Sequence, residues 1–412
     1  MFREWTNQSL FHGIVLLPIK EIMFDIPAPK SHNEQPRLPP VNLVSSKEKL
    51  EQLLASQRKI SENKSKPISF SQPIVWQKEN PVFFPKTINV IQGKAGVHKS
   101  RLAETICASL LKKPDCHKDL LGFKTNLLTR YAICYVDTER NLSEQLPYSL
   151  QQIQLKAGYE INEEPYGFDY ISLLEFGRED RFDMLNIYLE HARKKFPIHI
   201  FIILDVITDC IFNFNDTKDS MKLIDMMNQT INRYDVTFLC LIHENPGSAD
   251  KARGHLGTEI LNKASTVIQI GFEKDAQNHN TDLLKVAYLK CRSSKKHDPF
   301  YVQYSDTEKG LIMSDSNTTQ TILDKKNHKA ALSETLDLLA QILVSEMPRK
   351  ELIELLTEEL DCSKRTIVTR LKQITDTAIV IEQNEVNNTL CARAENKEIV
   401  YYLNPLKSNG SG

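Results

Sequence analysis

The sequence lacks paired cysteines and long apolar runs. Its eight cysteines are scattered without a CxxC pair or histidines at zinc spacing, which argues against a zinc site and indicates buried thiols in a reducing cytoplasm. No apolar run reaches the about 18 residues of a membrane span, and the apolar stretch 14–19 has no basic flank or cleavage site. We therefore expect a cytoplasmic protein that is neither secreted nor membrane-spanning.

An excess of charge of either sign is also missing. The chain has 52 Lys and Arg against 53 Asp and Glu, a formal net charge of −1. Any affinity for nucleic acid must therefore come from local basic patches and not from a global field. The 412 residues, 41% hydrophobic and 25% charged, are ordinary for a soluble globular chain of two or three domains.

A small-residue loop follows the apolar run 88–91 and precedes a helix-like stretch, 101–111. In a P-loop, small residues let backbone N–H groups surround phosphate oxygens, a Lys reaches the β- and γ-phosphates and a Ser hydroxyl ligates magnesium. The loop therefore predicts a site for ATP and Mg²⁺. Lys99 would bind the β- and γ-phosphates, and the Ser100 hydroxyl would ligate the metal. A turn without a ligand is the alternative. The predicted nucleotide-binding residues are Gly93, Lys94, Ala95, Gly96, Val97, His98, Lys99, Ser100 and Arg101.

One residue departs from the usual P-loop pattern. The pattern has Gly directly before the Lys, and this chain has His98. A non-Gly residue can still offer its N–H there, provided that its backbone avoids the region that only Gly tolerates.

Five apolar, β-branched runs indicate buried parallel strands, and helical patterns separate them. This order predicts an α/β fold with a doubly wound or RecA-like, mostly parallel sheet that places ligands at the carboxyl ends of its strands. Residues 273–282 are expected to form an exposed turn, and 283–289 and 300–304 to form hairpin strands. The five runs are 88–91, 132–136, 198–204, 236–242 and 266–270.

Two of these runs end in carboxylates. The run 132–136 leads into Asp137 and Glu139. Glu139 is a candidate general base for an attacking water, and a helix-capping role is the alternative. The run 198–204 ends at Asp205, the form of a Walker B motif. Asp205 would then hold magnesium directly or through water, again with capping as the alternative.

The fourth run, 236–242, continues into His243 and a basic loop. The order of motifs over roughly 75–305 resembles the RecA-like hexameric ATPases, particularly the plasmid RepA and replicative DnaB helicase group. The resemblance implies a DNA-dependent ATPase that forms a homo-oligomeric, hexameric ring and serves replication or mobilisation of a plasmid or mobile element. It also implies that His243 senses the γ-phosphate, although a lone His at a strand end can be structural.

The hairpin strand 286–292 carries Lys290 and Arg292 on one face. This pair resembles the basic finger that such rings insert into a neighbouring subunit's site, where it neutralises charge on the transferred phosphoryl group. The alternative is an ordinary basic surface run.

In such rings the DNA-contacting loops follow the second and fourth motifs, here 209–220 and 246–263. The first is acidic and aromatic. The second is basic and contains two glycines, a better match to a mobile phosphate-contacting loop; a solvated active-site loop is the alternative. Its candidate DNA-binding residues are Lys251, Arg253, His255 and Lys263.

The ends of the chain differ from the core. We expect an N-terminal extension (1–67) with a Pro-rich linker at 24–44 and a helix at 47–58. That helix would dock on a neighbour or cover its own domain. The ATPase domain (68–314) would be followed by a polar linker (315–327), a winged-helix-like domain (328–405) and a flexible tail (406–412).

The winged helix is predicted from three helical patterns and two strand-like runs. The helical patterns are 328–345, 349–359 and 367–374, and the strands of the wing are 378–382 and 398–403. Ser363 could cap the third helix. Protein binding or packing is the alternative to DNA contact for such a domain. Its candidate DNA-phosphate ligands are Lys364, Arg365, Arg370 and Lys372.

Two functions compete with a helicase. One is a DNA-binding regulator whose ATP state controls assembly without unwinding. The other is a nucleotide-binding scaffold with poor hydrolysis, which the unusual His98 suggests.

Overall fold

A computed structural model describes residues 43–126, 129–246, 251–395 and 398–406. The chain divides into two compact units, residues 1–70 and 71–412. In the first unit the described part includes helix α1 (Leu43–Lys64), which extends beyond the predicted helix 47–58 at both ends and leaves Leu50, Leu53 and Leu54 exposed. Most of the predicted linker at 24–44 and nearly all of the predicted tail lie outside the described residues.

Among the described residues of the second unit, twelve strands precede residue 315. In chain order they are β1 (Val75–Gln77), β2 (Asn80–Phe83), β3 (Ile88–Gly93), β4 (Phe123–Thr125), β5 (Ala132–Asp137), β6 (Phe168–Ser172), β7 (Ile200–Asp205), β8 (Val236–His243), β9 (Thr266–Lys274), β10 (Asn280–Cys291), β11 (Phe300–Ser305) and β12 (Gly310–Met313).

Nine of these strands form one sheet in the order β12-β11-β10-β9-β3-β8-β7-β5-β6. The six strands from β9 to β6 run parallel, and β9 to β12 are antiparallel neighbours. Because β5 and β7 are buried throughout, their sequences are near-continuous apolar runs. Strand β3 is equally buried but contains the polar residues Asn89 and Gln92. The predicted α/β fold with a mostly parallel sheet is confirmed. Strand β6, half-buried at the sheet edge, was missed.

Helices cover both faces of this sheet. Helices α2 (Lys99–Leu111) and α3 (Gln145–Ala157) pack on one face, and α4 (Arg178–Lys195), α5 (Thr217–Tyr234) and α6 (Gly254–Lys263) pack on the other. Each face has its own apolar core, because alternate side chains of a strand point to opposite faces. In the described part of the chain, no helix is long and apolar enough to cross a bilayer.

Two expected irregular segments are ordered elements. Glu273 and Lys274 continue β9, and 280–282 begin β10, so the expected turn 273–282 shrinks to 275–279. Glu273 is only 5% exposed, and its charge is paired with Lys326. Lys326 belongs to helix α7 (Ser316–Asn327), which occupies the predicted polar linker 315–327 and is capped by the Asp315 side chain. The charged segment 273–282 was predicted to be exposed because Lys326, the ion-pair partner of Glu273, lies 53 residues further along the chain. Sequence alone does not identify such a distant partner.

The remaining elements form a small C-terminal domain. They are α8 (Leu332–Ile342), β13 (Met347–Pro348), α9 (Arg349–Glu359), α10 (Lys364–Asp376), β14 (Val380–Gln383), β15 (Val386–Glu395) and β16 (Glu398–Pro405).

This domain contains three helices around an apolar core and an antiparallel sheet of order β13-β16-β15-β14. The expected wing of two strands is therefore wrong, since the sheet has four. Strand β15 was not predicted, because many of its residues are polar and most are exposed. Its sequence therefore lacks the clear alternation of polar and apolar residues that indicates a strand. Ser363 caps α10, and its hydroxyl accepts the Thr366 N–H at 3.2 Å.

Candidate functional site

Two glycines give the loop between β3 and α2 its shape, each for a different reason. A Cβ on Gly93 would collide with the Ile270 carbonyl oxygen and lie 2.7 Å from Cγ2 of Val97. Gly96 has open space around it but a φ of +78°, in the left-handed region that favours glycine. The first glycine is required by packing and the second by backbone conformation.

Lys99 points back into this loop. Its Nζ donates to the carbonyl oxygens of Gly93 at 3.1 Å and Lys94 at 2.8 Å, and the residue is 6% exposed. Burial lowers the pKa of Lys99, while the carboxylates of Asp205, Glu139 and Glu244 oppose that shift. The side chain thus presents a cation to the cradle of loop amides, where a phosphate would bind.

His98 adopts the left-handed conformation, with φ 62° and ψ 30°. This is the left-handed region, which His enters more readily than most residues, and not the region that only Gly tolerates. Its ring stacks on Tyr304 with centroids 5.0 Å apart and contacts the edge of Phe272 at 6.2 Å. Burial, and secondarily Arg101, lower the pKa of His98, so the ring is neutral near pH 7.

Ser100 and Asp205 meet at the start of α2 and the end of β7. The Ser100 hydroxyl donates to Oδ1 of Asp205 at 3.0 Å. A hydroxyl beside a carboxylate offers the hard oxygens that Mg²⁺ prefers, and nucleotide phosphates usually complete such a site. These two residues therefore fit the predicted metal role.

Arg140 is part of the site and was missed by the sequence analysis. Its guanidinium pairs with Asp205, with Glu104 at 3.2 Å and with Asp137 at 3.3 Å, and its side chain is 15% exposed. The Tyr135 hydroxyl donates to Oδ2 of Asp205 at 2.7 Å. The only sequence signal for Arg140 is its place just after the acids that end β5.

Glu139 lies on the open side of the site. Its Oε1 is 3.7 Å from Nε2 of His243, and its side chain is 50% exposed. Its contact with His243 lowers the pKa of Glu139, so the group is ionised near pH 7 and able to accept a proton. Asp137 differs: its Oδ1 accepts the backbone N–H groups of Glu139 and Arg140, and burial raises its pKa to about 6.

Lys290 and Arg292 are not brought to this P-loop. The Lys290 ammonium donates to the carbonyl oxygens of Leu261 at 2.6 Å and Asn262 at 3.0 Å, and Arg292 also donates to Asn262. Both cations thus lie at the C-terminal end of α6, where the helix dipole favours positive charge. Arg292 is exposed, and its role in a neighbour's site stays a prediction.

The expected mobile loop 246–263 is largely helical. Residues 247–250 lie outside the described part, and 254–263 form α6, so the prediction of a loop is wrong for that half. The Arg253 backbone N–H donates to the His243 carbonyl at 2.8 Å, and its guanidinium lies 5.2 Å from the Phe214 ring centroid. Lys251, Arg253 and Lys263 are exposed, and His255 is half-buried.

The predicted DNA ligands of the C-terminal domain divide into two groups. Lys364, Arg365 and Lys372 are exposed, and Lys364 lies 3.6 Å from Glu354. Arg370 is half-buried, and its Nε donates to the Ala330 carbonyl at 3.0 Å, so this guanidinium is used to hold the domain together. The DNA-contacting role of these four residues stays a prediction.

No family model and no curated protein matches the sequence. Similar solved structures include the flagellar accessory protein FlaH from Methanocaldococcus jannaschii, with 14% identity, 58% of this chain and 94% of that chain covered and a TM-score of 0.40. The RadB recombinase has 13% identity, coverages of 56% and 92% and a TM-score of 0.38. A KaiC-like protein from Pyrococcus horikoshii OT3 has 13% identity, coverages of 61% and 99% and a TM-score of 0.41. At such low similarity, function has to be argued from the site.

Proposed function

We propose that the protein is a RecA-like ATPase that hydrolyses ATP with Mg²⁺ and depends on DNA. The observation that carries this proposal is that five side chains lie close together at one edge of the sheet. They come from the start of α2 and from the carboxyl ends of β5, β7 and β8. The register sets Gly93 opposite His243 and Asp137 opposite Asp205, which brings the strand ends together. The five side chains are Lys99, Ser100, Asp205, Glu139 and His243.

Four of these side chains have a direct part in the proposed hydrolysis. The loop amides and Lys99 hold the β- and γ-phosphates, and Ser100 and Asp205 would hold Mg²⁺, which neutralises charge on the phosphate oxygens. Glu139 orients the attacking water and accepts its proton as the water oxygen bonds to the γ-phosphorus. The bond from that phosphorus to the β–γ bridging oxygen breaks, and ADP leaves with the bonding electrons.

The finer proposal is a RepA-like helicase that acts in replication or mobilisation of a plasmid or mobile element. Support comes from the backbone link between Arg253 and His243, since a change at His243 would reach the basic segment that begins at Lys251. In a hexameric ring, Lys290 and Arg292 would complete the site of a neighbouring subunit. Single-stranded DNA would contact the exposed cations near α6.

A regulator or scaffold without unwinding activity is the second candidate. The observation that favours it is the row of exposed cations Lys364, Arg365 and Lys372 on α10, which would contact the phosphates of duplex DNA without a motor activity. In that case nucleotide would control assembly on DNA.

Binding of a fluorescent ATP analogue to the full chain, followed by phosphate release with and without single-stranded DNA, tests the proposal. Lys99→Ala should reduce turnover at least about 100-fold, because it removes the cation on the transferred phosphoryl group. Lys112→Ala, at the other end of α2, is the matched control and should behave like wild type. Full turnover in the folded Lys99→Ala variant would eliminate the P-loop assignment.

Strand displacement separates the two candidates. A forked duplex with a labelled strand is incubated with ATP, Mg²⁺ and the wild-type chain. Release of the labelled strand supports the helicase. DNA-stimulated turnover without release supports the regulator.

A further inference from the structure

Arg140 connects three carboxylates behind the proposed metal site. Its guanidinium contacts Asp205, Glu104 and Asp137, and its Nη2 lies 3.1 Å from the Tyr135 hydroxyl. All of these carboxylates are nearly inaccessible to solvent. A guanidinium suits this position, because its planar fork can serve several acceptors at fixed angles and stays charged at every physiological pH.

The two oxygens of Asp205 have different partners. Oδ2 accepts hydrogen bonds from both the Tyr135 hydroxyl and the Arg140 guanidinium. Oδ1 accepts a hydrogen bond from the Ser100 hydroxyl. Two donors on Oδ2 thus fix the orientation of the carboxylate. Its other oxygen faces the P-loop.

Arg140 is itself held in place. Glu104, one of its partners, is also bound by Arg101 at 2.9 Å, and Asp137 accepts the Arg140 backbone N–H at 2.8 Å. Three ion pairs hold the guanidinium and a hydrogen bond to Asp137 holds the backbone of Arg140, so an incoming ion would have to break several contacts to displace it. This geometry favours a permanent support over a competitor that Mg²⁺ displaces.

We propose that Arg140, assisted by Tyr135, is a positioning residue that orients Asp205 for Mg²⁺, an inference that rests on the proposed ATPase function. Groups that orient a metal ligand typically contribute a factor of about 10 to 100 in metal affinity. In this role Arg140 would act through Asp205 and not on the metal ion itself.

The test is a Mg²⁺ titration of fluorescent ADP binding to the full chain, which reads the metal site without turnover. Arg140→Lys keeps the charge but loses the fork, and the half-saturating Mg²⁺ concentration should rise about tenfold or more. ADP binding in EDTA should not change. Tyr135→Phe removes one of the two donors to Oδ2 and should shift the titration in the same direction by less.

Arg181→Lys is the matched control. Arg181 is another buried arginine, bonded to backbone carbonyls and near Asp209, but it is outside the site, and its variant should titrate like wild type. An unchanged or lowered half-saturating Mg²⁺ concentration in folded Arg140→Lys would overturn the inference. If circular dichroism finds Arg140→Lys unfolded, Tyr135→Phe decides by the same criterion.

The wild-type titration separates this inference from the proposed function. If wild-type protein binds ADP with a clear Mg²⁺ dependence and Arg140→Lys does the same, only the role of Arg140 fails. If wild-type protein binds no ADP at any Mg²⁺ concentration, the proposed function fails and the inference fails with it.

Discussion

Nζ of Lys99 lies 3.1 Å from Nδ1 of His243. An ammonium can only donate, so Nδ1 must accept and the ring proton belongs on Nε2. Nε2 faces Oε1 of Glu139 at 3.7 Å. His243 therefore lies between Lys99 and Glu139, the side chains proposed to act on the phosphates and on the attacking water. We expect ATP, by drawing Lys99 to its phosphates, to release His243 from this contact.

Glu139→Gln should preserve nucleotide binding and slow hydrolysis about 100-fold or more, because only the proton acceptor is lost. Single-turnover phosphate release and fluorescent ATP binding measure the two effects separately. Glu144→Gln, at the exposed start of α3, is the control and should keep full turnover. Parallel loss of binding and turnover in Glu139→Gln would instead assign Glu139 a structural role.

His98→Gly should leave the free energy of unfolding within about 1 kcal/mol of wild type, because two effects oppose each other. Glycine removes the cost of the left-handed backbone, about 1 kcal/mol, and loses the stack on Tyr304, worth about 0.5–1.5 kcal/mol. His98→Ala loses the stack and keeps the backbone cost, so it should be the less stable variant. Urea unfolding of both variants checks the order.

The same pair of variants tests nucleotide contact by His98. If the imidazole only shapes the loop, His98→Gly binds ATP at least as tightly as wild type. Weaker binding by a fully folded His98→Gly would mean that the ring itself contacts nucleotide or a neighbouring subunit.

Gly93→Ala should destabilise the fold more than Gly96→Ala. A methyl group at residue 93 meets the Ile270 carbonyl and Val97, and overpacking of this kind costs about 1–3 kcal/mol or more. At residue 96 the methyl group meets nothing within 4 Å, so only the positive φ costs about 1 kcal/mol. Gly271→Ala, with open space and no positive φ, is the neutral control in thermal unfolding.

The sequence predicted the parts of the site that follow from strand ends. Asp205 comes directly after an apolar run, Lys99 and Ser100 follow another run across the loop 92–98, and parallel strands bring their carboxyl ends to one edge. Arg140 could not be predicted in the same way. Its ion pairs are with Glu104 of α2 and Asp205 of β7, which are distant in sequence and are brought to it only by the fold.

The fold was predictable where burial is continuous and less so where it is partial. Strands β5, β7 and β8 are apolar over nearly their whole length. Strand β15 buries only alternate residues near its start, and its polar sequence resembles a loop.

The last prediction concerns Arg292 and a neighbouring subunit. If Arg292 completes a site in trans, Arg292→Ala and Lys99→Ala should each be inactive, yet their equal mixture should regain up to about one quarter of wild-type turnover. In a head-to-tail ring about one interface in four would pair an intact P-loop with an intact finger. Arg292→Lys should restore little, because a Lys lacks the planar fork that contacts two phosphate oxygens.

Lys296→Ala is the control for this mixing experiment, since it removes an exposed cation from the same basic run and should stay active alone. Arg292 also bonds the Asn262 carbonyl at the end of α6, so loss of activity in Arg292→Ala by itself would not distinguish a finger from a helix cap. Complementation does distinguish them, because a subunit with a damaged α6 cannot be repaired by its neighbour. If fluorescence confirms subunit exchange and no mixing ratio regains turnover, Arg292 acts within its own chain.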